Sequence, residues 1–528
     1  MTRTDTNTEA PSRGSESGPA PSDRDRPRPT SRWSWWWLVV GAVLLPVTNL
    51  QTLLPVAAWL APVFLLRFSR TQRPLVALPV LVVVMSLTVL VALRNGFFPI
   101  AEGVGYYVFV FGLGVGGTVP YAVDRLLTPR SGAVARTLLF PLAVTTTELL
   151  GTLGNPFGTA GSTAYSQYAN LPLVQLVSVT GIWGLTFLVS WLAPVVNEVW
   201  ERGPGDRVAR RAAGIFAAAL VAALVFGGAR LAFASPTSET VRVAALAPDR
   251  ELSDLAYSAP ALRPGSSAAR AAVRDEHFAP VLDELFERSQ TEAEAGAEIV
   301  SWSEAAARVL EEDMATMVAR AAELAEQQQV YLQVSMIVLL RTADGASGEP
   351  VNENHAVLLD PQGNVVWDYL KSKPTPGDGH VAGPGLIPTV DTPYGRLGTV
   401  ICQDDFFPSL VRQAGRADVD ILLLPSSDWE SIANWHAQQA PFRAAENGVA
   451  LVRATRQGVS LATDAQGRLV GHKADYFVAD DQTLVTSVPI EGSNTVYTRV
   501  GDSFAYASAL GLLGLIAGAF LVRRRRAG

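Results

Sequence analysis

The chain has 528 residues, of which 48% are hydrophobic and only 17% charged, and its formal net charge is -7. A mean hydropathy of +0.21 is high for a soluble protein of this length, so membrane segments are expected. The negative net charge argues against a nucleic-acid partner. The sequence shows neither a glycine-rich phosphate loop nor a Cys/His cluster for zinc, so we predict no metal and no cofactor.

Residues 1–31 are rich in Pro, Ser, Thr, Gly and charge and have no apolar periodicity. Such a segment cannot bury enough surface to fold, and it is longer and more acidic than the start of a signal peptide. We therefore predict a disordered tail.

Eight apolar segments follow, most of which approach the length of about 20 residues that a membrane-spanning helix needs. Pro46 and Pro55 interrupt the first two. The predicted spans are at about 33–50, 52–67, 74–93, 103–122, 134–152, 171–197, 212–234 and 504–522.

Arginine is concentrated in every second loop between these spans. Arginines cluster after the second, fourth and sixth spans, whereas residues 151–170 contain no Lys or Arg. Because positively charged loops face the cytoplasm, this pattern predicts that both termini are cytoplasmic and that residues 238–500 lie outside the membrane. The predicted organisation is a tail (1–31), a membrane domain of about seven helices (32–237), one large domain outside the membrane (238–500) and a C-terminal transmembrane helix with a basic tail (501–528).

The segment 238–500 alternates short β-rich runs with longer helical stretches. The helical stretches include Ala268–Ser289, Glu304–Gln328 and Trp435–Asn447. This alternation predicts an α/β fold whose sheets are covered by helices.

Three residues with complementary chemistry follow predicted strands in this segment. Cys402, the one cysteine of the chain, ends an apolar run, while Glu304 and Lys371 follow two others. Nucleophilic acyl transfer requires a nucleophile, a group that carries its proton, and a cation or N–H donors for the oxyanion. Cys, Glu and Lys supply these three roles.

The sequences around these residues resemble the Glu-Lys-Cys triad of the nitrilase, or carbon–nitrogen hydrolase, superfamily. The matching motifs are Ser303-Glu304-Ala305, Tyr369-Leu370-Lys371 and Ile401-Cys402-Gln403-Asp404. Together with the multi-span N-terminal region and the single C-terminal span, they resemble the bacterial family of membrane-embedded apolipoprotein N-acyltransferases. The resemblance implies an α-helical membrane domain joined to an αββα sandwich.

The same resemblance implies a reaction in two steps. Glu304 would act as general base, Cys402 would accept a fatty acyl chain from a membrane phospholipid as a thioester, and Lys371 would hold the oxyanion. The acyl chain would then pass to the N-terminal amine of a diacylglyceryl-cysteine lipoprotein. The protein would lie in the bacterial cytoplasmic membrane with its catalytic domain on the outer side.

Two departures from the family pattern concern the surroundings of the nucleophile. The family usually has an aromatic residue and a glutamate after the cysteine, where this chain has Gln403 and Asp404. Its loop after the lysine usually reads Val-Pro-Phe-Gly-Glu, and here it reads Thr375-Pro-Gly-Asp378. We therefore predict altered efficiency or substrate preference, and name Asp378, Gln403, Asp404 and Trp429 as candidate supporting or substrate-contacting residues.

Several neighbouring residues have alternative interpretations. Lys373 competes with Lys371, and the Tyr-x-Lys spacing favours Lys371. Arg443 and Glu446, three residues apart, are interpreted as a structural pair, and His436 as structural. Glu148 lies within a predicted span, where a carboxylate requires partners, and the sequence does not identify them.

Two other functions fit parts of the pattern. One is a membrane-tethered amidase or hydrolase of the same superfamily, with water as the acceptor. The other is a catalytically silent membrane scaffold. The membrane segments carry few charges and show no inverted repeat, which argues against transport.

Overall fold

The computed structural model describes residues 33–48, 53–93, 103–132, 134–234, 239–259, 267–341, 351–472, 476–479 and 482–527. The predicted tail at 1–31 lies outside these residues. The N-terminal region is helical, and its nine helices in the described part of the chain are α1 (Ser34–Leu44), α2 (Pro55–Thr71), α3 (Pro74–Ala92), α4 (Val104–Leu127), α5 (Ala135–Thr152), α6 (Leu171–Val174), α7 (Val177–Thr180), α8 (Ile182–Arg202) and α9 (Arg207–Phe233).

Five helices in the described residues are long and apolar enough to cross a membrane. They are α3, α4, α8, α9 and the C-terminal helix α18 (Ser503–Ala527). The sixth predicted span, at 171–197, is not one helix. The chain forms the short helices α6 and α7 and turns at Gly181, whose φ of 61° favours glycine, before α8 begins.

The C-terminal part of the chain contains fifteen strands and eight further helices among the residues described, besides α18. The strands are β1 (Thr240–Leu246), β2 (Ile299–Trp302), β3 (Ala307–Leu310), β4 (Tyr331–Leu339), β5 (Asn352–Leu359), β6 (Val365–Leu370), β7 (Thr389–Thr392), β8 (Gly395–Thr399), β9 (Ile421–Leu423), β10 (Ser426–Ser427), β11 (Ala450–Arg453), β12 (Thr455–Arg456), β13 (Leu461–Thr463), β14 (Leu469–His472) and β15 (Thr483–Pro489). The helices are α10 (Arg250–Tyr257), α11 (Ser267–Val273), α12 (Ala279–Glu294), α13 (Met314–Gln328), α14 (Pro408–Arg416), α15 (Ala433–Ala437), α16 (Ala440–Asn447) and α17 (Val496–Val500).

These elements form two large mixed sheets. One has the order β15-β1-β2-β4-β5-β6, with β3 paired to β4, and the other has the order β14-β13-β11-β9-β8-β7. Strands β1, β2 and β4 run parallel, as do β8, β9 and β11. Parallel strands are normally buried on both faces by other layers.

The core lies in three layers of apolar side chains. Val243, Leu358 and Leu423 belong to the layer between the two sheets. Helices α12 and α13 cover the outer face of the first sheet, and α14 and α16 cover that of the second. The predicted αββα sandwich beside a helical membrane region is confirmed.

Two predicted helices have different limits in the structure. The helix expected at Glu304–Gln328 begins at Met314, because Ala307–Leu310 pairs with β4 as an additional strand. The stretch Trp435–Asn447 is divided into α15 and α16, with Pro441 in the first turn of α16. Proline fits a first helical turn, where its missing N–H has no partner to lose.

Buried polar contacts join the helical region to the sandwich. The N–H of Ile182 donates to Glu446 Oε1 at 2.9 Å, and Arg443 donates to the Tyr165 hydroxyl at 3.0 Å. Arg443 and Glu446 also form an ion pair at 2.9 Å. The pair that the sequence identified as structural thus holds the start of α8 against α16.

Glu148 has the partners that the sequence could not identify. Its carboxylate accepts hydrogen bonds from Ser162 Oγ (2.8 Å), from the N–H and Oγ1 of Thr163 (3.0 and 2.6 Å) and from Thr186 Oγ1 (3.0 Å). These donors belong to the turn before α6 and to α8. The carboxylate therefore ties elements of the membrane region to one another.

Candidate active site

The ends of strands from both sheets meet at one edge of the sandwich. Glu304 follows β2, Lys371 follows β6, and Cys402 lies just beyond β8. All three side chains are buried. The structure thus brings together the three residues that the sequence proposed as a triad.

Cys402 is held in an unusual backbone conformation. Its φ is 47°, which non-glycine residues adopt rarely and which costs conformational energy. Its N–H donates to the Pro425 carbonyl at 2.9 Å, and its thiol lies 3.5 Å from the Ser427 carbonyl. The sharp turn at the end of β8 directs the sulfur into a cavity that Glu304 and Lys371 also line.

Glu304 is a buried carboxylate with a charged partner. Lys371 Nζ donates to its Oε1 at 2.6 Å, and Asn354 Nδ2 donates to the same oxygen at 2.7 Å. Burial alone would raise the pKa of Glu304, but Lys371, Asn354 and the Cys402 thiol hold it below its usual value. The group is therefore ionised at neutral pH.

Lys371 is 1% exposed. Burial acts to lower its pKa, but the charge of Glu304, the hydrogen bond to it and the neighbouring Cys402 and Asp378 together outweigh burial and raise the pKa above the ordinary lysine value. The ammonium group is thus a fixed positive charge beside the sulfur. Lys373, the competing candidate, is exposed and lies over the ring of Phe407 at 5.1 Å.

The resting cysteine is a neutral thiol. Burial, followed by the charge of Glu304, raises the pKa of Cys402 well above its usual range, and Lys371 opposes this only in part. Because Glu304 is ionised and Cys402 is protonated, the proton has to move to the carboxylate as the sulfur attacks. Chemically, such an arrangement is capable of general-base catalysis with a thiol nucleophile.

Asp404 links the residue before Cys402 to the chain on either side of Lys371. Its carboxylate accepts hydrogen bonds from the Ile401 N–H (3.0 Å), the Lys373 N–H (2.7 Å) and the Tyr369 hydroxyl (2.7 Å). The side chain is completely buried. Asp404 therefore holds neighbouring segments of the site together and does not line the cavity. The aspartate at this position, shorter than the glutamate usual in the family, still makes these hydrogen bonds.

The other three candidates line the cavity. Gln403 Nε2 donates to the Pro156 carbonyl at 2.8 Å, which links the site to the membrane region. Asp378 and Trp429 lie on the cavity wall. Gln403 thus contacts the membrane region and also borders the cavity.

A buried polar network beneath the nucleophile was not predicted from the sequence. Asp428 accepts two hydrogen bonds from Arg453, at 3.0 and 2.8 Å, and contacts His436 Nδ1 at 2.7 Å. His436 Nε2 contacts Asp405 at 3.1 Å. Burial lowers the pKa of His436, but the two carboxylates outweigh it and raise the pKa. The sequence shows Asp405 close to Cys402 and Asp428 next to Trp429, which could have indicated a polar network. Their partners His436 and Arg453 could not be identified, because they are not adjacent in sequence.

One group of metal-ligand side chains occurs among the described residues. The ligand atoms of Cys402, Asp428 and His436 lie within 4.8 Å of one another. However, Asp428 is engaged by Arg453, and His436 by Asp405. The Asp428 and His436 atoms that could bind a metal are therefore occupied by ion pairs and hydrogen bonds, and the three residues do not form an open metal site.

The cavity has a volume of about 320 Å³. One side is polar and carries the triad. Another is apolar and includes Phe406, Trp429 and Ile432. Such a cavity can accept an acyl group next to a charged reaction centre.

Comparisons with known proteins show which families the chain is similar to. Residues 267–489 match the family model described as carbon-nitrogen hydrolase. The chain is 27% identical over 416 residues to an apolipoprotein N-acyltransferase of Bradyrhizobium diazoefficiens, covering 73% of each chain. It is 26% identical over 397 residues to an apolipoprotein N-acyltransferase of Geobacter metallireducens, covering 70% of each. These similarities confirm the resemblance of the chain to that family.

A solved amidase of Nesterenkonia sp. is also similar to part of the chain. The two share 19% sequence identity with a TM-score of 0.38, over 52% of this chain and 97% of the amidase.

Proposed function

We propose that this protein is an acyltransferase, because residues 267–489 match the carbon-nitrogen hydrolase family model and the chain is similar to apolipoprotein N-acyltransferases along most of its length. It transfers a fatty acyl chain from a membrane phospholipid to the N-terminal amine of a diacylglyceryl-cysteine lipoprotein. The reaction passes through a thioester on Cys402.

The observation that carries the proposal is an apolar cluster shared by the membrane helices and the cavity. Val110 of α4 and Leu93 at the end of α3 pack in one cluster with Phe406 and Ile432. Trp429 packs against the same cluster. Since Phe406, Ile432 and Trp429 also line the cavity, apolar surface continues from the membrane region to the nucleophile. A soluble amide substrate does not require such a surface, whereas an acyl chain does.

In the first step, the Cys402 sulfur attacks the ester carbonyl carbon of the phospholipid while its proton passes to Glu304. A C–S bond forms, and the carbonyl oxygen becomes an oxyanion that Lys371 stabilises. The C–O ester bond then breaks, and Glu304 returns the proton to the oxygen of the departing lysophospholipid. The acyl chain remains as a thioester.

In the second step, the α-amine of the diacylglyceryl-cysteine attacks the thioester. Glu304 removes a proton from the attacking nitrogen, the C–N bond forms, and the C–S bond breaks. The proton goes back to the Cys402 sulfur, which regenerates the thiol and carboxylate. The products are an N-acylated lipoprotein and the starting enzyme.

The catalytic domain is proposed to lie on the outer side of the cytoplasmic membrane. The basis is the arginine bias of the loops, which also places both termini in the cytoplasm. We expect a reporter that is active only in the cytoplasm to work when fused after Arg526 and to fail when inserted near Gly348. The opposite pattern of reporter activity would contradict the proposed sidedness.

Transfer and hydrolysis are separated by the fate of the acyl chain. Purified protein is supplied with phospholipid and a diacylglyceryl-cysteine peptide, and the N-acylated peptide and free fatty acid are quantified. We expect acylated peptide in large excess, because the apolar cavity wall keeps water from the thioester. Mainly free fatty acid, or cleavage of soluble amides only, would favour the membrane-tethered hydrolase. Absence of turnover with every donor would favour the silent scaffold.

A further inference from the structure

Two arginines outside the triad lie on the wall of the same cavity. Arg308 is on β3 and Arg456 is on β12. The central carbons of their guanidinium groups lie 5.0 and 4.1 Å from the centroid of the Tyr257 ring. Both cations therefore share one aromatic platform.

This cationic pair has no counter-charge among the residues that the structure describes. Neither arginine forms an ion pair with a described carboxylate. With the described part of the chain, each side chain makes one long hydrogen bond, from Arg308 to the Ala256 carbonyl at 3.3 Å and from Arg456 to Ser253 Oγ at 3.4 Å. A guanidinium group has five N–H donors, so most of this capacity is unused.

Two of the unused donors are removed from solvent. The Nε atoms of Arg308 and Arg456 are buried and have no hydrogen-bond partner among the residues that the structure describes. Arg456 as a whole is 8% exposed. Arg308 is partly buried. Holding a buried and a partly buried cation side by side, each with a buried donor that has no partner, is unfavourable unless an anion completes the site.

The pair is fixed close to the reacting groups. The Tyr257 hydroxyl donates to the carbonyl of Ala305 at 3.2 Å, and Ala305 directly follows Glu304. Among the described acidic side chains that line the cavity, Glu304 pairs with Lys371 and Asp428 pairs with Arg453, and Asp378 forms no ion pair with Arg308 or Arg456. The two unpaired positive charges therefore lie beside the triad and face the cavity that a substrate would enter.

We propose that Arg308, Arg456 and Tyr257 form a subsite for the phosphodiester of the lipid acyl donor. This inference rests on the proposed function and specifies which part of the donor the chain recognises. Paired guanidinium groups suit phosphate oxygens, because each presents planar N–H donors in a fixed fork. Of the two proposed substrates only the phospholipid carries a phosphate, so the subsite distinguishes the donor from the acceptor.

The test compares donors with and without phosphate. Acyl-enzyme formation on the full-length protein is followed by intact mass with phosphatidylglycerol and with diacylglycerol that carries the same acyl chains. The variants are Arg308→Gln, Arg456→Gln and the double variant. We expect kcat/KM for phosphatidylglycerol to fall roughly 10- to 100-fold in each single variant, with little change for diacylglycerol. Arg456→Lys should recover part of the loss, because it restores a positive charge.

The matched control is Arg320→Gln. Arg320 also lies over an aromatic ring, that of Phe286 at 4.2 Å, and it pairs with Asp283 at 2.6 Å, but it does not line the cavity. This variant should use both donors as the wild type does. Because Arg320→Gln also removes an arginine that lies over an aromatic ring, it shows whether losing such an arginine outside the cavity affects the activity in general.

Three outcomes would overturn the subsite. Equal losses with both donors would mean that the arginines only support the fold. Inhibition of the wild type by inorganic phosphate together with equal losses would identify a site for a free anion and not for the lipid headgroup. A wild type that accepts acyl chains from neither donor would instead refute the proposed function on which the inference rests.

Discussion

Replacing Cys402 with alanine is expected to reduce formation of N-acylated peptide by at least roughly 10⁴-fold, since removal of a catalytic nucleophile leaves only binding and electrostatic effects. The sulfur is the one thiol of the chain and lies in the cavity with Glu304 and Lys371. The measurement is the initial rate with phospholipid and a diacylglyceryl-cysteine peptide.

Cys402→Ser is the matched variant for this prediction. It preserves the size of the side chain and a hydroxyl that can contact Ser427, but the alkoxide is far less accessible than a thiolate. Both variants should unfold thermally near the wild-type temperature, because only one or two atoms change. Retention of more than a small fraction of the activity by Cys402→Ala would show that the acyl chain does not pass through this residue.

Replacing Lys371 with alanine is expected to have the second largest effect. Loss of an oxyanion donor typically costs about 10²–10³ in rate. A further loss is expected, because Glu304 would become a buried carboxylate without its cation. The measurement is the initial rate across a pH series, which gives both the loss of activity and its dependence on the ionisation of Glu304.

The pH dependence has a definite sign. Without Lys371, burial raises the pKa of Glu304, so the base is ionised only at higher pH. The residual activity should therefore rise with pH, and the acid limb of its pH profile should lie above that of the wild type.

Lys373→Ala is the control for Lys371→Ala. The ammonium group of Lys373 lies over Phe407, and only its backbone N–H contacts Asp404. This variant should keep a rate close to that of the wild type. If Lys373→Ala were the more damaging of the two, the assignment of the oxyanion donor to Lys371 would be wrong.

The triad could be predicted because each member follows a strand and lies in a short local motif. The positions after predicted strands, the complementary chemistry of Glu, Lys and Cys and the motifs that resemble the nitrilase triad together grouped Glu304, Lys371 and Cys402. The apolar segments likewise predicted the long membrane helices. The limits of the short helices α6 and α7 were not predicted, because hydropathy does not detect the turn at Gly181.

The surroundings of the triad depend on contacts between distant residues. The network of Asp428, Arg453, His436 and Asp405 joins segments far apart in sequence. Arg308 was placed in a predicted helix, where it would have been an ordinary solvated cation. In the structure, Arg308 lies on β3, and the pairing of β3 with β4 directs the side chain toward the cavity. Here the pairing between strands outweighs the local helical pattern of the sequence, so the position of Arg308 could not be predicted from that pattern.

The most direct test of the account is the intact mass of the protein during a chase. The wild type is incubated with a phospholipid of defined acyl chains and then given a diacylglyceryl-cysteine peptide. We expect a mass increase of one acyl group that maps to Cys402 and disappears after the peptide is added, as the same acyl chain appears on the peptide amine. An adduct that water discharges as fast as the peptide does, or no adduct on Cys402 from any phospholipid, would contradict the proposed acyl transfer.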